Sequence, residues 1–217
     1  MQKKIHIGVI PDGNRRWCKK NNSDVFKSID IMKNAIIQNF EDREELKETY
    51  TNFSLINEAT IYILSKDNLL KRKDDTIKMV EYALEVVLSN LNNIKKYLKI
   101  QFIGELELLP ENILEMVKKI QDETTEGSFV TTVGIAYDPI LDSFKLLNNS
   151  SERGKFEQSD IDLVIRTGGE IRTSGFFPLK TLYSEFIFLD NLFPDLTLLK
   201  ISDSIDEYLK RERRFGQ

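Results

Sequence analysis

Short β-branched apolar segments alternate with amphipathic ones along this chain, and that alternation limits its fold more than any other feature. Strands that return to one sheet through helical crossovers lie parallel, so the pattern predicts an α/β fold with a mainly parallel sheet. The candidate strands are Ile5 to Ile10, Ala59 to Leu64, Ile100 to Ile103, Phe129 to Ala136 and Ile161 to Ile165, enough for a sheet of five or six. Between Asp75 and Leu98 the residues Ile77, Val80, Leu84, Val87, Leu91 and Ile94 recur in steps of three and four, which predicts one helix with a core-facing stripe. A second helix is expected to open at Pro110, whose missing N–H costs nothing in a first turn. It would carry Ile113, Leu114, Val117 and Ile120 and stop before Gly127. A third is expected over Ser28 to Phe40, followed by a charged surface segment from Glu41 to Asn57. A polar loop is expected around Asn148 to Ser159. At 217 residues the chain is expected to be one domain, 1–217.

Composition removes whole classes of function. With 41% hydrophobic and 30% charged residues, and no apolar run near the roughly 18 residues of a membrane span, a soluble globular chain is expected. The first apolar stretch runs into a Pro-Asp-Gly turn with no cleavage site, which suggests a cytoplasmic address. Cys18 is the only cysteine, so there is no internal disulfide and no multi-cysteine zinc site. His6 is the only histidine, which removes Ser-His-Asp triads and HExxH zinc sites. Alternating with apolar neighbours, it reads as a strand residue. A net charge of -4 and a pI of about 5.3 argue against a nucleic-acid partner.

Two clusters carry chemistry. The first, Pro11-Asp12-Gly13-Asn14-Arg15-Arg16-Trp17, follows a strand and precedes a segment that can open a helix. In an open parallel sheet ligands bind beyond the carboxyl ends of the strands, and a helix start there offers N–H groups to an anion. Arg15 and Arg16 bring planar donors suited to phosphate, and Asp12 is a carboxylate able to hold a hard cation. An ordinary Asp-Gly turn with surface arginines fits the same residues. The second cluster runs from Asp162 through Arg166, Gly168, Gly169, Glu170 and Arg172 to Ser174 and Gly175, again a strand feeding a glycine-rich loop. Curled around an anion, Arg166, Arg172 and the Ser174 hydroxyl would supply several charge-assisted hydrogen bonds. A charged surface turn is the alternative. Further on, Glu185 is an acid among hydrophobes, which asks for a reason. Neither cluster is a GxxxxGK[ST] loop, a GxGxxG fingerprint or a kinase signature, and Asp74-Asp75 does not continue as DDxxD.

Taken together, His6 to Trp17 and Asp162 to Glu170 resemble the two signature segments of undecaprenyl diphosphate synthase and the other cis-prenyltransferases. Tyr183-Ser-Glu-Phe186 resembles the family's Tyr-Ala-Glu-Phe segment, Phe193-Pro-Asp195 its Trp-Pro-Asp, and Arg211 to Gly216 its closing sequence. Weaker matches are Ser65-Lys-Asp-Asn68, similar to a Ser-Thr-Glu-Asn loop, and Ala136-Tyr137, similar to part of Asn-Tyr-Gly-Gly-Arg. The resemblance implies a six-stranded parallel sheet flanked by helices, a hydrophobic tunnel, a homodimer and Mg2+. It implies condensation of an allylic diphosphate with isopentenyl diphosphate through an allylic carbocation, with membrane contact only for releasing a long product. It makes Asp12 and Glu185 the metal-associated carboxylates and Asp12, Asn14, Ser65 and Asn68 the catalytic group. Gly13, Asn14, Arg15, Arg16 and Trp17 fall at the allylic diphosphate, Arg166, Arg172 and Ser174 at isopentenyl diphosphate, and Arg213, Arg214 and Gly216 at the partner copy's site.

The chain departs from that pattern in four places. No histidine follows His6, so the family's Gly-His contact is absent from Asn21 to Ile29, where Lys20 or Lys27 could stand in. Leu69 stands where an aromatic residue is expected, Asp138-Pro139 stand where two glycines are expected, and the stretch from there to Asp162 is short. Two alternatives follow: a diverged member making irregular, lavandulyl-type, or cyclised products, and a non-catalytic partner subunit. The altered first helix favours the former; retention of Asp12 and Glu185 argues against the latter.

Overall fold

The computed structural model of the chain describes residues 4–31, 48–148 and 159–212. Six strands, β1 (Ile5–Ile10), β2 (Ile56–Tyr62), β3 (Leu98–Ile103), β4 (Phe129–Gly134), β5 (Leu163–Arg166) and β6 (Glu185–Phe188), form one sheet in the order β3-β4-β2-β1-β5-β6. Every neighbouring pair is parallel, as the alternation predicts. Each residue of β1 is buried, because the strand has a neighbour on either side and cover on both faces. A strand so placed is an unbroken apolar run instead of an alternating one.

Side chains of β5 show the two faces. Leu163 and Ile165 join Ile5, Ile7, Ile187, Ile205 and Tyr208 in one core, whereas Val164 joins Ile10, Tyr62, Tyr137, Phe176 and Phe177 in another. Alternate residues point to opposite faces, so the sheet separates these two cores. A third core lies by β3 and β4, where Ile113, Val117 and Ile120 meet Val80, Leu84, Leu91 and Ile94.

Seven helices are described with these bounds: α1 (Asn14–Lys20), α2 (Lys66–Lys71), α3 (Lys73–Ser89), α4 (Leu91–Ile94), α5 (Glu111–Glu123), α6 (Pro139–Asn148) and α7 (Leu198–Lys210). Residues 25–31 are also helical; the rest of the third helix expected over Ser28 to Phe40, and most of the loop expected from Asn148 to Ser159, lie outside the described residues. The single helix expected from Asp75 to Leu98 is broken. At Asn90, φ is -114° and ψ 11°, and its side-chain amide donates to the Val86 carbonyl at 2.8 Å, so α3 stops and Leu98 opens β3. Asparagine competes with the helix in this way because its short amide reaches nearby backbone groups. Pro110 lies just before α5 as its N-cap, its carbonyl accepting from the Ile113 and Leu114 N–H groups.

Three helices, α2, α6 and α7, and one strand, β6, were not expected from the residues. α6 starts at Asp138-Pro139, where the Asp138 carboxylate accepts from the Ile140 and Leu141 N–H groups at 3.0 and 3.1 Å. Aspartate as N-cap with proline at the first helical position is a strong helix start, which explains how this pair replaces two glycines. In α7 the buried stripe includes Ser202 and Ser204, which dilute its apolar period. β6 is a four-residue edge strand, too short to show a period of its own.

From β1 the chain goes to β2 on one side, while β5 lies on the other. The strand order therefore reverses between β1 and β5, and the crevice beyond their carboxyl ends is where such sheets bind ligands.

Candidate functional site

Both sequence clusters meet at that crevice. Arg166 is the last residue of β5, opposite Ile10 of β1, and only 3% of its side chain is exposed. Its Nη2 donates to Asp12 Oδ2 at 2.8 Å, and its Nη1 donates to Ser174 Oγ at 2.9 Å and to the Arg172 carbonyl. A buried guanidinium needs such partners, since the cost of removing it from water is offset only by good geometry. Asp12 keeps 32% of its side chain exposed, so the carboxylate that neutralises Arg166 also looks outward.

From Asp12 the charges continue across the mouth of the crevice. Arg16 Nη2 lies 3.4 Å from Asp12 Oδ1, Arg16 Nη1 lies 3.9 Å from Glu170 Oε1, and Glu170 pairs with Arg172. Three guanidinium groups alternate with two carboxylates, and Arg15 is exposed beside them. Exposed pairs of this kind add little to stability, so their guanidinium groups can exchange a carboxylate for a phosphate at small cost.

The backbone fixes this arrangement. Thr167, fully buried, accepts from the Asp12 N–H at 2.9 Å and donates its own hydroxyl proton to the Asp12 carbonyl at 2.8 Å. The Phe193 N–H donates to the same carbonyl at 3.0 Å. Gly13 has φ +106°, and a Cβ there would stand 2.8 Å from Leu192; Gly168 has φ +91°, and a Cβ there would stand 2.6 Å from Arg16 Nη2 and 3.2 Å from Asp12. Gly168 lets the β1 and β5 loops touch, and Gly13 lets the β1 loop pack on the loop after β6. Among the described residues three buried side-chain atoms have no hydrogen-bond partner, Glu105 Oε1 away from this crevice and Arg166 Nε and Asn14 Oδ1 at it. Buried polar atoms are rarely left so, and two at one crevice mark a place for a ligand.

Several expected site residues lie elsewhere. Trp17, expected at the substrate, is buried, and its indole N–H donates to Asp195 Oδ1 at 2.7 Å, which anchors α1 to the 193–195 turn. Ser65 lies at the same sheet edge beyond β2, where its hydroxyl accepts from the Asn68 N–H at 3.1 Å and caps α2. Asn68 is exposed in that first turn, and Leu69 is buried in the third core. Glu185 does not meet Asp12 within one chain. It opens β6 in register with Leu163 and hence with Ile7, three strand residues before the Arg166 end, or roughly 10 Å at about 3.3 Å per residue. Its carboxylate accepts from Arg211 Nη1 at 2.9 Å, so within one chain it does not share a cation with Asp12. Arg213, Arg214 and Gly216 lie outside the described residues.

The residues that sequence reasoning left unassigned are Thr167 and Glu170, inside the second cluster, and Asp195, inside Phe193-Pro-Asp195. Their motifs were visible, but a hydroxyl closing two backbone bonds has no signature in a sequence. His6 is 1% exposed, with Nε2 2.8 Å from Thr60 Oγ1 and Nδ1 3.0 Å from the Ser159 carbonyl, and burial pushes its pKa down. It is a core strand residue at the far end of β1. Cys18 is half-buried, and burial raises its pKa.

Among the described residues no group of three or more His, Cys, Asp or Glu side chains could hold a metal by itself. Mg2+ is usually bound through one or two carboxylates, the other positions coming from substrate phosphates and water. Asp12, outward-facing beside Glu170 and three arginines, fits such a partial set. A cavity of about 260 Å³ lies beyond β3 and β4, lined by Phe102, Ile103, Tyr137 and Leu141 together with Glu105, Asp138, Asp142 and Lys145.

Comparisons with known proteins agree with this geometry. The prenyltransferase family model for undecaprenyl diphosphate synthase matches residues 10–216. A tritrans,polycis-undecaprenyl-diphosphate synthase (geranylgeranyl-diphosphate specific) of Sulfurisphaera tokodaii is 30% identical over 97% of this chain and 87% of its own. A probable undecaprenyl diphosphate synthase structure from Campylobacter jejuni superposes with a TM-score of 0.74 at 21% identity, covering 100% of both chains. Lavandulyl diphosphate synthase from Lavandula x intermedia, in complex with dimethylallyl diphosphate, superposes with a TM-score of 0.71 at 22% identity over 98% of each. These two likenesses show a shared fold.

Proposed function

The chain belongs to the undecaprenyl diphosphate synthase family of prenyltransferases, and from that premise we propose that it elongates an allylic prenyl diphosphate with isopentenyl diphosphate at the β1–β5 crevice. The observation that carries this reading is the 2.8 Å pair between Asp12 and Arg166, which joins the two phosphate-suited clusters into one site. Ionisation of the allylic C–O bond leaves a carbocation and a diphosphate of growing negative charge. Arg15, Arg16 and the N–H groups that open α1 stabilise that charge where it develops. Arg172 and Ser174, held together by Arg166, receive the diphosphate of isopentenyl diphosphate, whose double bond attacks the cation before a proton is lost. No nucleophilic serine or histidine is required, which suits a chain whose one histidine is in the core.

A Mg2+ ion held by Asp12 and substrate phosphate oxygens would add positive charge at the leaving group. Asn14 offers a buried unpaired oxygen at the same end of the crevice. Ser65 and Asn68 serve by placing the loop that starts α2. A homodimer is supported by an exposed apolar face: Ile140, Phe144 and Leu147 on α6, which packs against residues 178–180, with Leu182 and Tyr183 just beyond. A contiguous patch of that kind suits a protein partner. A second copy there would come up against Glu185, which could then serve a site that it does not reach in its own chain. Arg213, Arg214 and Gly216 are proposed for the same cross-subunit role, and the hydrocarbon tunnel for the growing product. Among the described residues no helix is long and apolar enough to cross a membrane, which agrees with a cytoplasmic enzyme that meets membrane only through its product.

The test is incubation with Mg2+ and geranylgeranyl, farnesyl or dimethylallyl diphosphate, each with and without isopentenyl diphosphate, read by product mass. The name of the Sulfurisphaera relative makes geranylgeranyl diphosphate the first primer to try. Products longer by five-carbon units, formed only with isopentenyl diphosphate, support the proposal. An irregular ten-carbon product from dimethylallyl diphosphate alone would replace it.

A further inference from the structure

We propose that Thr167 is the positioning residue that sets Asp12 for the reaction, an inference that rests on the function proposed above. Asp12 lies beyond the end of β1, where no strand neighbour holds its backbone. Thr167, the residue after β5, does what a ladder would do: its hydroxyl accepts from the Asp12 N–H at 2.9 Å and donates to the Asp12 carbonyl at 2.8 Å. Thr167 is itself fixed, because its N–H donates to the Ile10 carbonyl at 3.3 Å and its side chain is fully buried. One hydroxyl therefore holds both backbone groups of the residue whose carboxylate meets Arg166 and Arg16.

The side-chain bonds of Asp12 cannot replace this hold. Arg16 is on the same short segment as Asp12 and about half exposed, at 49%, so it moves with the loop. Arg166 fixes only the carboxylate tip, and the Phe193 N–H only the carbonyl. Without the hydroxyl the Asp12 N–H loses its partner, and the carboxylate can swing about its contact with Arg166. Serine keeps the hydroxyl and loses a methyl group; valine keeps the shape and loses the hydroxyl. If Thr167 only packs, valine is tolerated and serine is not. If it positions Asp12, the order is reversed.

Two measurements decide, on full-length wild type, Thr167→Val and Thr167→Ser at a temperature where all three are folded. In steady-state kinetics Thr167→Val is expected to lower kcat by about 10–100-fold, the usual cost of displacing a catalytic group by about an ångström. Its KM for isopentenyl diphosphate should change less than threefold, and Thr167→Ser should stay within about threefold of wild type in both. Amide hydrogen exchange over residues 12–14 should rise in Thr167→Val and not in Thr167→Ser, whether or not the enzyme turns over. An active wild type whose Thr167→Val variant matches it in kcat and exchange overturns the Thr167 assignment and leaves the proposed function standing. A wild type that makes no prenyl product overturns the function, and the exchange comparison then decides the positioning claim alone.

Discussion

β1 is six residues long, and its two ends treat polar groups in opposite ways. At the amino end His6 is almost sealed off, with both ring nitrogens engaged and Glu58 3.6 Å away. At the carboxyl end Asp12 is part-exposed, Arg16 is open to water, and Arg166 Nε and Asn14 Oδ1 are buried without partners. A polar group that is fully paired inside a protein stabilises and specifies the fold. One left with unused capacity at a crevice is available to a ligand. Substitutions at the two ends should therefore fail differently, the amino end in stability and the carboxyl end in turnover.

The largest effect is expected from Asp12→Asn, which keeps the shape but removes the charge: kcat should fall by about 10²–10³-fold, the scale of losing one electrostatic partner of the transition state. The melting temperature should fall as well, because the buried Arg166 guanidinium loses its counter-charge, but the loss of turnover should persist in protein that is still folded. A variant that keeps wild-type kcat would break the contrast. Next comes Gly168→Ala, whose new Cβ would press on Arg16 and Asp12 at a positive φ. It should lose about 1–2 kcal/mol of stability and turn over more slowly. Thermal denaturation beside kinetics measures both, and an alanine tolerated in both assays would mean that the two loops are not in contact.

At the other end His6→Leu should lose about 1–3 kcal/mol by leaving Thr60 and Ser159 groups unpaired, while kcat in the surviving folded protein stays unchanged. A fall in kcat at constant fold would show that the two ends are not independent. The smallest effect is in pH dependence. Burial holds the folded His6 pKa below its ordinary value, about 6.5, despite the opposing charge of Glu58. The unfolded chain then takes the proton first, so this contribution is complete above about pH 6.5 and is lost as the pH falls through that value. Melting temperatures should drop from pH 7 to pH 5, and less so in His6→Gln. Equal slopes in both proteins would remove His6 from the acid response.

The same contrast explains how much was legible in the sequence. The buried strands could be read directly, because β1 and β5 are covered on both faces and are apolar apart from His6 and Arg166. The loops after them could be read as phosphate-suited, because arginines and glycines clustered after a strand offer donors to an anion, although ordinary charged turns fit the same residues. What escaped reading was any feature set by neighbours from distant parts of the chain. Asn90 ends a helix whose apolar stripe continues past it, and Ser202 and Ser204 hide the inward face of α7. Trp17 stands among the phosphate-suited residues yet is fixed inward by Asp195, and Glu185 belongs to the opposite end of its strand from Asp12. Register decides such matters, and it is not written in either segment alone.

The most direct measurement is a crystal structure of the protein soaked with Mg2+ and isopentenyl diphosphate. The account predicts the diphosphate at the β1–β5 crevice, within hydrogen-bond distance of Arg172 and Ser174 and beside Asp12. Density for it elsewhere, above all in the cavity beyond β3 and β4, with the crevice holding only water, would contradict the central claim.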